Sequence, residues 1–142
     1  LIKNGSKNIA NRYNGYRYAL EKYGIELNKN FLIEGNMHME SGYKAMKKIV
    51  DDNLNVDGVL ILNNFMTIGL IEYINNNDTK LYDKIKIFGY DIPEYLHSLN
   101  PRFNYVTRSR KEMGIQIANL MVNKIKKTST HTSTVIIEPI LV

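Results

Sequence analysis

Apolar positions along the chain switch repeatedly between a period of two and a period near 3.6, and each switch marks a predicted change from strand to helix. Ile9-Ala10 is predicted to open a strand. Asn11 then caps a helix whose apolar positions Tyr13, Tyr16, Leu20 and Tyr23 recur at helical spacing until Gly24 stops it. Phe31-Leu32-Ile33 reads as a short buried strand. In the helix predicted after it, Gly42, Ala45, Met46, Ile49 and Val50 line one face and Lys44, Lys47 and Lys48 the other. Val59 to Leu62 is an unbroken aliphatic run, the pattern of a parallel strand covered on both faces. A helix over Phe65 to Ile74 follows, and Ile85 to Tyr90 repeats the strand pattern before Asp91 and Pro93 end it. Tyr105 to Thr107 is extended. Ser109-Arg110-Lys111-Glu112 has the form of a capping box, opening a helix with Gly114, Ile117, Ala118, Met121 and Ile125 on one face. Val135 to Ile137 closes the chain as a strand, with Pro139 predicting that its end lies at an edge or leaves the sheet. At least four alternations with short connections predict the α/β class, a parallel sheet with helices on both faces.

Composition narrows what such a sheet can do. The 142 residues make roughly one domain, and with 44% apolar and 23% charged positions they can bury a core. No apolar run approaches the roughly 18 residues of a membrane span. The absence of cysteine excludes disulfides, thiolate catalysis and Cys-ligated metal. The net charge of +5 is spread over helices and loops, which argues against nucleic-acid contact by this segment itself. The chain starts at Leu1 rather than Met and is expected to be a fragment.

In a parallel sheet the ligand crevice lies beyond the carboxyl ends of the strands, where helix N-termini present free amides. Glu34-Gly35-Asn36-Met37-His38, Asn63-Asn64-Phe65 and Gly89-Tyr90-Asp91-Ile92-Pro93 follow three of the predicted strands, and Arg12 sits in the first turn after another. Arginine, carboxylate, amides and an apolar Met37 or Phe65 together suit a small polyhydroxylated or heterocyclic ligand. Each residue also has a plainer role available: Asn63 or Asn64 as a helix cap, Asp91 holding its own turn, Arg12 paired with a surface acid. Enzyme motifs are missing: no Gly-rich dinucleotide turn, Walker loop, Gly-x-Ser-x-Gly elbow or His-Glu-x-x-His pair, and hence no cofactor is expected. His38 and Glu40 have the spacing of a deaminase His-x-Glu but lack the cysteines that would hold its zinc.

Several stretches together resemble one family. Residues 1–10 (LIKNGSKNIA), Arg12-Tyr13-Asn14-Gly15-Tyr16, Ser41-Gly42-Tyr43-Lys44-Ala45-Met46, Asp57-Gly58-Val59-Leu60 and above all Phe88-Gly89-Tyr90-Asp91 look like the effector-binding core of the lactose-repressor/galactose-repressor (LacI/GalR) regulators. Asn100-Pro101-Arg102-Phe103-Asn104-Tyr105-Val106-Thr107 with Glu112-Met113-Gly114 is similar to that family's Pro-x-Leu-Thr-Thr-Val segment and the helix start after it, Asn104-Tyr105 replacing the usual threonines. The resemblance implies a periplasmic-binding-protein-like (type I) fold, with residues 1–142 as an effector-domain fragment, mainly the C-terminal subdomain. The helix-turn-helix DNA reader would lie outside it.

By the same resemblance, Arg12, Met37, Asn63 and Asp91 match effector contacts, joined by Asn36 and Phe65 from the strand-end reading. The helix over Phe65 to Ile74 is apolar around more than one face, which predicts a partner surface. The resemblance makes that surface a homodimer interface of Thr67, Leu70, Ile71, Tyr95 and Leu96. The implied protein is a cytoplasmic sensor of a sugar or related metabolite that controls operator DNA through its N-terminal domain, with no membrane contact. The alternative is an extracytoplasmic sugar-binding protein of a transport system. One departure stands out: family members carry the rest of the first strand and a loop, roughly a dozen residues, between the equivalents of Ala10 and Asn11, where a two-residue strand would otherwise run straight into a helix.

Overall fold

The aliphatic run after Asp57 does form a strand, and the other strands align on it. The computed structural model describes residues 7–95, 102–126 and 134–142. Strand β1 (Gly58–Leu60) pairs in parallel with β2 (Lys86–Tyr90), and β2 in parallel with β3 (Asn104–Arg108). Strand β4 (Pro139–Leu141) joins β3 antiparallel, giving a mixed sheet in the order β1-β2-β3-β4. Around it lie α1 (Lys7–Lys22), α2 (Met39–Asp51), α3 (Asn64–Asn77), the single turn α4 (Leu81–Lys84) and α5 (Arg110–Ile125).

Helix ends follow the local chemistry. Asn63 Oδ1 accepts from the Met66 amide at 3.1 Å and Ser109 Oγ from the Glu112 amide at 3.1 Å, each supplying one of the acceptors that a helix N-terminus lacks. Only the serine half of the predicted capping box is seen, because the Glu112 carboxylate accepts from Gln116 Nε2 at 2.6 Å instead. Gly24, at φ +67, ends α1 with paired bonds from the Gly24 amide to the Glu21 carbonyl and from the Ile25 amide to the Leu20 carbonyl.

Met46 and Ile49 of α2, Met66, Leu70 and Ile74 of α3, and Ile61, Ile87 and Tyr105 of the sheet layer form the core. The α2–α3 contact is backbone on backbone: a Cβ on Gly42 would lie 2.0 Å from the Met66 carbonyl oxygen, and one on Gly69 1.8 Å from that of Met39. Only glycine fits at either place.

Three predicted strands are displaced. Ile9-Ala10 lies inside α1, which runs through Asn11 unbroken, since a continuing helix pairs every amide that a two-residue strand would leave open. At Phe31-Leu32-Ile33, Asn28 Oδ1 takes the Asn30 amide and starts a 3-10 turn, Lys29–Phe31, after which the chain is extended but outside the sheet. Val135 and Ile137 lie outside the sheet and line an open cavity together with Met113, Ile117 and Leu120 of α5, and β4 begins only at Pro139, whose missing amide suits the start of an edge strand. Among the described residues the two sheet faces differ in cover. Ile87, Gly89 and Tyr105 face the core, whereas Lys86, Phe88 and Asn104 on the other face are exposed.

Candidate functional site

Because β1, β2 and β3 run in the same direction, their carboxyl ends meet at one edge of the sheet. Residues 62 and 63, Asp91 and Arg108 lie there. Asp91 has φ +50, in the left-handed region, and its amide donates to the Val106 carbonyl at 2.8 Å, which latches the end of β2 onto β3. Its side chain is thereby turned between two arginines. Arg108 Nη2 lies 3.2 Å from Asp91 Oδ2, and Arg12 Nη2 lies 3.8 Å from the same oxygen.

Arg12 is held on three sides. It reaches across from α1, donates from Nη1 to the Leu62 carbonyl at 2.6 Å, and stacks its guanidinium on the Tyr90 ring, 3.6 Å from the centroid. The planar, permanently charged head suits all three contacts at once. With side-chain exposures of 20% for Arg12, 30% for Asp91 and 44% for Arg108, the cluster is sheltered yet open to a ligand. Two cations against one anion leave a single surplus positive charge. The site therefore offers guanidinium donors, a carboxylate acceptor and an aromatic ring within a few ångströms of each other.

The remaining predicted ligand residues surround this cluster without all joining it. Asn63 is buried and spends its carbonyl on capping α3, while Phe65, in the first turn of α3, is 52% exposed. Asn36 holds a turn, its Oδ1 accepting from the His38 amide at 3.1 Å and its own amide donating to Ser41 Oγ at 3.3 Å. Met37 takes φ +68 in that turn. Gly35 packs on the Met66 side chain, which sets the turn beside the start of α3.

Of the expected interface residues, Thr67, Leu70 and Ile71 are buried in the chain's own core, where α3 packs against the sheet on one side and α2 on another. The Thr67 methyl sits under Gly89, and its hydroxyl donates to the Asn63 carbonyl at 2.8 Å. Tyr95 is 65% exposed, and Leu96 lies outside the described residues. Sequence reasoning put Tyr90 in a rim segment without giving it a role and did not single out Arg108, which was legible as the residue after the extended Tyr105 to Thr107 and before the Ser109 cap. Among the described residues no group of three or more His, Asp or Glu side chains could hold a metal ion.

The family described as the periplasmic binding protein-like domain matches residues 2–142. The HTH-type transcriptional repressor PurR of Histophilus somni (strain 2336) is 28% identical over 154 positions, taking in 100% of this chain and 46% of that protein. The ribose operon repressor of Haemophilus influenzae is 24% identical over 140 residues, 98% of this chain and 42% of its own length. The chain thus spans somewhat less than half the length of these relatives. Since the PurR alignment has 154 positions and the chain 142 residues, at least twelve positions of that relative have no counterpart here. Among solved structures, the transcriptional regulator CelR–cellobiose complex superposes with a TM-score of 0.76 at 24% identity, covering 92% of this chain and 40% of that one. A LacI-family regulator from Corynebacterium glutamicum superposes with a TM-score of 0.84 at 19% identity, covering 100% and 54%. Both share the fold, as the residues had implied.

Proposed function

We propose, from the premise that this chain belongs to the periplasmic binding protein-like domain family, that it is the effector-sensing part of a LacI/GalR-type transcriptional regulator. The observation that carries this reading is the meeting of Arg12, Asp91 and Arg108 at the carboxyl ends of parallel strands. A hydroxylated ligand accepts hydrogen bonds from the guanidinium groups and donates to Asp91, while Tyr90 and the exposed Phe65 offer apolar surface to a ring. Arg108 is the half-exposed partner, so it yields its contact to a ligand at small cost. The cellobiose complex of CelR and the ribose operon repressor favour a sugar as the ligand class. A tenfold preference of ligand for one conformation requires only about 1.4 kcal/mol, within reach of a few such hydrogen bonds.

In the full regulator the sensor works as a cytoplasmic homodimer and reaches operator DNA through an N-terminal helix-turn-helix beyond this chain. Screening sugars and nucleobases by thermal shift tests the site. A ligand at about a hundred times its Kd adds about 2.7 kcal/mol of stability, and that gain is expected to vanish in Arg12→Ala and in Asp91→Ala. A stabiliser indifferent to both substitutions means that the ligand sits elsewhere.

A further inference from the structure

Asp91 has two guanidinium neighbours and meets both through one atom. Arg108 Nη2 donates to Oδ2 at 3.2 Å, while Arg12 Nη2 stands 3.8 Å from the same oxygen, beyond hydrogen-bond reach. Arg12 is committed elsewhere, to the Leu62 carbonyl and the Tyr90 ring. Arg108 is held far less. Its contact with Asp91 is a single hydrogen bond from a group with five N–H donors, and its side chain is 44% exposed. Among the described residues no second carboxylate pairs with either arginine.

Arg108 also lines the open cavity beside α5, of about 250 Å³. The other walls are Gln116 and apolar side chains such as Ile117 and Ile137, and no described acidic residue is among them. The guanidinium thus stands between a carboxylate that it shares with Arg12 and a space that offers it no anion.

We infer that Arg108 sets the charge of the ligand: the effector is a hydroxylated molecule with one anionic group, a carboxylate or a phosphate, which lies against Arg108 while its hydroxyls face Asp91 and Arg12. This rests on the reading of the cluster as the effector site. A neutral sugar that comes between Asp91 and Arg108 exchanges a charged hydrogen bond for neutral ones and leaves the surplus positive charge in place. A carboxylate or phosphate takes two parallel N–H···O bonds from the planar fork and cancels that surplus. Hydrogen bonds between charged groups are roughly twice as strong as neutral ones, so the anion is favoured about tenfold.

Calorimetric titration at low salt tests this with matched sets: glucose, glucuronate and glucose 6-phosphate; galactose and galacturonate; ribose and ribose 5-phosphate. In at least one set an anionic member should bind about tenfold more tightly than its neutral twin, and the uronate and phosphate arms tell which anion is read. In Arg108→Gln that ratio should fall to about one, whereas Arg108→Lys, which keeps the charge, should retain most of it. Lys86→Gln removes an equal charge at the opposite end of β2 and should leave the ratio unaltered, which separates Arg108 from the protein's overall charge of +5. A neutral sugar that binds as tightly as its anionic twins, and is lost in Arg12→Ala, overturns the inference and leaves the effector site standing. A preference that survives Arg108→Gln overturns it too. If no member of any set binds, the inference and the reading beneath it both fall. Should Arg108→Gln not fold, the Arg108 side-chain N–H groups of the unaltered protein must become protected from exchange when the anionic member is added; left unprotected, they refute the inference.

Discussion

Asp91 answers two demands at once: its backbone lies in the left-handed region at φ +50, and its carboxylate is shared by Arg12 and Arg108. A residue with a Cβ costs about 1 kcal/mol there relative to glycine. Asp91→Gly and Asp91→Ala both remove the ion pairs, so their difference isolates the backbone. Urea denaturation should find the glycine variant more stable by about 1 kcal/mol, although ligand binding is lost in both. Arg12 and Asp91 do meet, but the reading that put Arg12 at a strand end rested on a strand at Ile9-Ala10 that is helix within α1. Tyr90 under the guanidinium was not legible, because a stacked ring beside an arginine is a tertiary fact with no spacing of its own. The plainer reading held for Asn63, whose amide caps α3.

At the scale of elements, glycines with the same letter have opposite roles. Gly42→Ala or Gly69→Ala drives a methyl into a facing carbonyl and should cost about 3 kcal/mol or more. In Gly114→Ala the methyl meets nothing within 4 Å in the middle of α5, so a gain of about 0.5–1 kcal/mol is expected. Chemical denaturation of the three variants checks both signs.

The outer face of α2 carries the titrating pairs. Lys44 donates a hydrogen bond to Glu40 at 2.5 Å and adds its charge, holding the Glu40 carboxyl below its usual 4.5. The support this pair gives α2 is present above that ordinary value and is lost as pH falls through the lowered one. Lys47, hydrogen-bonded to Asp51 at 2.6 Å, is raised above its usual 10.5, so its support is present below that value and is lost as pH rises through the raised one. Both pairs are exposed, and NMR titration in about 1 M salt should bring the two groups back toward ordinary values. Helices α2, α3 and α5 were legible because their apolar positions keep a helical period over several turns, and β1 and β2 were legible as aliphatic runs; the single turn α4 was not read. Ile9-Ala10 and Phe31-Leu32-Ile33 were too short for a period to separate strand from helix or coil.

At the scale of the whole molecule, the sheet has one dry face and one half-open face, and two adjacent residues report on the difference. Ile87 is 1% exposed and Phe88 39%. Ile87→Ala should cost about 3 kcal/mol and Phe88→Ala about 1 kcal/mol or less, as calorimetry can measure, reversing the order that side-chain size alone suggests. Sequence reasoning expected both faces to be wrapped, since aliphatic runs such as Val59 to Leu62 mark strands meant for the interior. They do not reveal which cover lies within the chain at hand. The antiparallel β4 was equally hidden, because strand direction follows from the path of the connection and leaves no mark on three residues. The glycine-lined crossing of α2 and α3 has a mechanical corollary. With main chain resting on main chain at Gly42 and Gly69 there is no compressible layer between the two rods, so they can neither slide nor shear past one another. A disturbance at the Asn36–His38 turn is then passed to Tyr73 and Asn77 as the tilt of a rigid lever, and spectroscopic labels on the two helices should keep a constant separation whatever the ligand does.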